Sequence, residues 1–95
     1  MNELLSEKQL AEIERRCDRA SLSPWTSYIE GRDHTSGSNF IMTGAPESRG
    51  PDIELTGGTI EYQDFIASAR EDIPRLINEI RVLRALLAHQ GGLPD

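Results

Sequence analysis

The stretch from Glu61 to His89 limits what this chain can fold into more than any other part of it. Within it Ile73, Leu76, Ile80, Leu83 and Leu87 are separated by 3, 4, 3 and 4 residues, the a/d spacing of a helix that buries one seam against a partner helix. Ile77 and Leu86 widen that stripe. A stripe this wide suits a helix that touches its own domain on one flank and a second copy on the other. An ordinary amphipathic core helix carries the same pattern, because about two heptads do not define a coiled coil. Pro74 predicts that the helix either begins near Asp72 or carries a kink there, since its ring disfavours helical backbone at Ile73 and removes a donor. The expectation is therefore a short helix over about 60–70, a break at 71–73 with Asp72 as cap, and a long helix from Pro74 to His89. At ~1.5 Å per residue that helix is about 24 Å long, and Gly91, Gly92 and Pro94 stop it.

A chain of 95 residues makes a single domain, 1–95, with a modest core, and a partner subunit adds apolar burial that the protomer lacks. The expected assembly is a homo-oligomer, a dimer or tetramer, held together by the seam of the long helix. The net charge of −6 argues against general binding to DNA, which depends on clustered Lys and Arg, although a compact anionic ligand needs only two or three local cations. Cys17 is the sole cysteine, so neither an intrachain disulfide nor a thiolate zinc site can form within one chain. The N-terminal residues lack an apolar signal core and no run reaches the ~20 apolar residues of a membrane span. Bacterial cytoplasm and no membrane partner are the expectations.

Ser6 and Gln9 have the spacing of a capping box, with Leu5 and Leu10 placed as a hydrophobic staple, so a first helix should start near Glu7. Leu10, Ile13, Cys17 and Ala20 share its apolar face, which makes Cys17 a packing residue, while Glu12, Arg15, Arg16 and Arg19 form the solvated face. Ser21, Ser23 and Pro24 end it. From Trp25 the texture changes to short β-favouring runs between turn clusters, with strands expected at 25–30, 39–43 and 52–56. Phe40 with Met42 and Ile53 with Leu55 alternate with polar neighbours, so one face of a small antiparallel sheet should receive the helices. In the following helical stretch Tyr62, Phe65, Ile66 and Ala69 fall on one side. The fold class is α+β.

The search for chemistry is mostly negative. His34 and His89 have no spacing that implies a metal site or a catalytic dyad, and the paired carboxylates read as solvated faces or caps. No P-loop or G-x-G-x-x-G is present. The expectation is a protein that is not an enzyme and carries no cofactor or metal. What remains is binding: Trp25, Tyr28 and Phe40 as a stacking surface for a base, Arg49 or Arg70 for a phosphate, Ser38 and Asn39 for hydrogen bonds. The alternative places the aromatics in the core, Arg70 in a surface ion pair, and Ser38 and Asn39 in a turn.

RRCDRASLSPW at 15–25 and DFIASAREDIPRLINEIRVLR at 64–84 resemble a widespread class of small phage and prophage proteins. These share an A-x-x-x-PW element near the start and a D-x-x-FIA-x-AR-x-DIP-x-L-x-x-EIR-x-LR element at the end. The Ead/Ea-like lambdoid accessory proteins are similar. The resemblance covers both ends, about a third of the chain, and residues 30–57 match nothing in it. It implies an accessory role in phage biology. Similar small oligomeric phage proteins sequester the cyclic nucleotide signals of antiviral systems such as CBASS. The function implied is a sponge that binds a cyclic di- or oligonucleotide without cleaving it. The alternative is a module whose long helix binds and inhibits a host protein.

Overall fold

The computed structural model describes residues 3–20 and 22–90. The first helix, α1, runs Glu7–Arg19. Its capping box forms as the spacing predicts: Ser6 Oγ accepts from the Gln9 N–H at 3.0 Å, and the Gln9 side chain accepts from the Ser6 N–H at 2.8 Å. Leu10 is fully buried and Ile13, Cys17 and Ala20 are half-buried, so the apolar face of α1 is the one that packs. The helix ends on extended backbone at Ala20; Ser21 lies outside the described residues.

Three antiparallel strands follow, β1 Trp25–Tyr28, β2 Phe40–Thr43 and β3 Asp52–Ile53, in that spatial order. The strands are shorter than their β-favouring runs. Beyond Tyr28 the backbone leaves the ladder because turn side chains capture its donors: the Ile29 N–H donates to Asp33 Oδ2 at 2.8 Å and the Glu30 N–H to Asn39 Oδ1 at 2.7 Å. The register pairs Trp25 with Thr43 and Tyr28 with Phe40, and sets Ile53 beside Ile41. With a side-chain period of two, Trp25, Ser27, Ile41, Thr43 and Ile53 share one face, while Thr26, Tyr28, Phe40, Met42 and Asp52 share the other. The first of these faces receives the helices. Ile41 and Thr43 are fully buried there, and Thr43 Oγ1 donates to the Pro51 carbonyl at 2.7 Å.

The last helix, α2, runs unbroken over Ile60–His89 and starts from Thr59, whose Oγ1 accepts from the Tyr62 N–H at 3.1 Å. The expected break at 71–73 is therefore absent, Asp72 lies inside the helix rather than capping it, and Pro74 sits in its interior. Both halves of α2 are clamped from outside the helix. On the N-terminal side the buried Gln63 amide donates to Ser27 Oγ, the Tyr28 carbonyl and the Phe40 carbonyl at 2.9, 3.2 and 3.0 Å. On the C-terminal side Arg81 donates to both oxygens of Glu14 at 2.8 Å, and Arg84 donates to Glu7 at 2.9 Å and the Leu5 carbonyl at 2.6 Å. An interior proline costs about 3 kcal/mol of helix propensity, and contacts on both sides of it outweigh that local preference. Gly91, Gly92 and Pro94, expected to stop the helix, lie outside the described residues.

The pairings Glu7 with Arg84 and Glu14 with Arg81 run α1 antiparallel to the C-terminal half of α2, while the N-terminal half carries the sheet. The molecule is long for its mass. Its extents are 56 × 34 × 20 Å and its radius of gyration is 17.4 Å, against roughly 12 Å for a compact domain of this length.

Candidate functional site

The residues singled out for ligand binding fall into two places, one on each side of the sheet. On the outer face Tyr28 and Phe40 stack at a centroid distance of 5.3 Å and an interplanar angle of 22°. His34 meets both rings edge-on, 6.1 Å from Tyr28 and 5.3 Å from Phe40. The Arg49 guanidinium lies 5.9 Å from the Phe40 centroid and donates to both Asp52 oxygens at 2.7 Å. That hydrogen-bonded pairing raises the Arg49 pKa above its ordinary value. The two rings thus spend one face of each on the other, and Arg49 already holds a carboxylate.

Ser38 is exposed in the turn before β2, and Asn39 is committed to the Glu30 N–H. His34, whose spacing implies neither a metal site nor a catalytic dyad, is built into the aromatic group. Its Nδ1 accepts from the Ser36 N–H at 3.1 Å, and its Nε2 is buried without a hydrogen-bond partner among the described residues. The same turn is tied to α2 by Arg32, which donates to both Asp64 oxygens at 2.8 and 3.1 Å and to Asp33 at 2.9 Å. The Arg32 hydrogen bonds hold both carboxyls below their ordinary values, assisted at Asp33 by the Ile29 N–H and at Asp64 by Ser27.

Trp25 is on the inner face, because three residues along a strand separate it from Tyr28 and reverse its direction. The expected common stacking surface of Trp25, Tyr28 and Phe40 is therefore not formed. Instead Trp25 joins Arg70 in a cleft of about 300 Å³ between α1, α2 and β1. Ile13, Cys17, Ile66 and Ile73 supply its apolar walls, and Phe65 and Arg16 complete it. Phe65 is 74% exposed despite its size. Arg16 does not stand out in the sequence, where it reads as a solvated charge, whereas Phe65, like Trp25, reads there as either core or pocket.

The expected seam residues line the same side of α2. Ile73 borders the cleft just described, and Ile80, Leu83 and Leu87 border a second hollow with Leu4 and Leu5. Leu76 is 60% exposed and Leu83 50%. Among the described residues no group of three or more His, Cys, Asp or Glu is placed to hold a metal ion, and no helix is long and apolar enough to cross a membrane. Comparison with protein-family models, curated proteins and solved structures finds no match to this chain.

Proposed function

We propose that this protein sequesters a cyclic di- or oligonucleotide without cleaving it, and that the ligand's base enters the cleft of Trp25 and Phe65 while Arg16 and Arg70 meet its phosphate. The observation that carries this reading is the meeting of Trp25 and Arg70, far apart in sequence and chosen for stacking and phosphate chemistry, on one cleft. Its volume, about 300 Å³, is at the lower end of the range for small-molecule sites, which suits one base rather than a whole nucleotide ring. Stacking on an aromatic side chain contributes about 1–3 kcal/mol per base, and a guanidinium matches phosphate oxygens in a charge-assisted, bidentate geometry. A sponge needs only such groups, with no nucleophile or general base. The phage setting implied by the two end elements supplies the biological role, a defence-evasion protein of the bacterial cytoplasm. Tyr28, Phe40 and Arg49 have no part in this version of the site.

Calorimetric titration with a panel of cyclic di- and trinucleotides tests the reading. At least one should bind, Arg70→Ala and Trp25→Ala should each weaken it by about tenfold or more, and heat denaturation of the complex should return the ligand intact. Unchanged affinity in both variants, with folding retained, removes the cleft from the site. Recovery of a hydrolysed nucleotide makes the protein an enzyme.

A further inference from the structure

The helix α2 presents its residues to the rest of the chain in an inverted order. The side facing its own sheet and α1 carries Gln63, Ala67, Pro74, Ile77, Arg81 and Arg84 with the half-buried Ile66, and Ile77 is its one large buried hydrophobe among the described residues. The apolar heptad stripe lies beside it, bordered at its C-terminal end by Leu4 and Leu5 but largely exposed. Leu76, Leu83, Leu86 and Leu87 are each about half exposed or more, and Val82 is 49% exposed. Burial of apolar area drives folding and association alike, so a helix whose leucines face outward lacks a partner.

We infer that a second copy of this chain covers that stripe, its α2 packing against the α2 of the first across Leu76, Ile80, Leu83 and Leu87. Three observations select a second copy as the occupant. The chain exposes 7199 Å², whereas a folded monomer of 10.6 kDa exposes roughly 5,500 Å². The excess is more than the ~800 Å² per protomer that a stable interface covers. The stripe follows a 3.5-residue repeat, the period at which a helix keeps one seam on another helix. The seam itself is uncharged and its border alternates in sign through Asp72, Arg75 and Glu79, so two copies of a protein with net charge −6 can meet there without like-charge opposition.

The inference does not rest on any ligand, and sedimentation equilibrium of the ligand-free chain tests it separately from the nucleotide titration. The wild type is expected at twice the protomer mass or a higher multiple at micromolar concentration. Leu83→Glu and Leu76→Glu, both at positions half exposed in the protomer, should each raise the dissociation constant about 100-fold or more, while Ala85→Glu, exposed on α2 on the side away from the seam, should leave it unchanged. A wild type that sediments at 10.6 kDa up to high micromolar concentration overturns the inference, as does an oligomer indifferent to both seam variants. Circular dichroism of each variant separates dissociation from unfolding.

Discussion

At Gln63 one primary amide reaches three acceptors on two strands, and the side chain is only 4% exposed. Gln63→Leu keeps the volume and leaves the Tyr28 and Phe40 carbonyls short of a donor, so urea unfolding should show a loss of about 1–3 kcal/mol. Gly44 answers to a different constraint. Its φ is +80°, and a Cβ there would stand 2.5 Å from the Ser48 carbonyl oxygen, whereas Gly31, at φ +83°, has open space around it. Gly44→Ala should therefore destabilise by more than about 1 kcal/mol and by clearly more than Gly31→Ala, as compared by thermal melting. Asp33 and Asp64 give the molecule an acid limb. Their carboxyls titrate below the ordinary 3.8 in the folded chain, so the stabilisation they contribute is complete above that value and is lost as pH falls through the lower folded values. The difference in melting temperature between wild type and Asp64→Asn should accordingly be full at neutral pH and shrink below about pH 4. A difference that grows on acidification contradicts the Arg32–Asp64 contact.

Among the elements, α2 shows where the sequence is legible and where it stops being so. The capping box at Ser6, the antiparallel sheet and the helical character of 60–89 all follow from local spacing, and local spacing is what a sequence displays. The break at Pro74 misreads because its absence depends on the Gln63 and Arg81 contacts, which join residues far apart in the chain. Strand ends misread for a related reason, since Asp33 and Asn39 withdraw Ile29 and Glu30 from the ladder through side-chain bonds. In the cleft Trp25 and Arg70 are legible as residue types, but the strand period that parts Trp25 from Tyr28 acts only once the register is known. Phe65 leaves core and pocket equally open, and Arg16 carries no local mark at all. The continuity of α2 yields its own prediction: Pro74→Ala restores a donor to the Arg70 carbonyl and should raise stability by about 1 kcal/mol or more in urea unfolding. A fall in stability would show that the ring's packing against α1 outweighs the missing bond.

As a whole molecule the chain is a 56 Å body organised along one helix, with its sheet at one end, α1 at the other and a row of leucines facing outward. Polar residues on the inner stripe fasten α2 to its own domain, and apolar residues on the adjacent stripe are exposed, the surface on which we infer a second copy. The Trp25 and Arg70 cleft lies at the sheet end of that stripe and shares Ile73 with it. The most direct test is an isotope-filtered NOE measurement on an equal mixture of carbon-13-labelled and unlabelled chains. Intermolecular NOEs from the methyls of Leu76, Leu83 and Leu87 to the α2 side chains of the other copy are the predicted result. Their absence, or intermolecular NOEs confined to the outer face of the sheet, would contradict the assignment of the α2 seam as the surface where two copies meet.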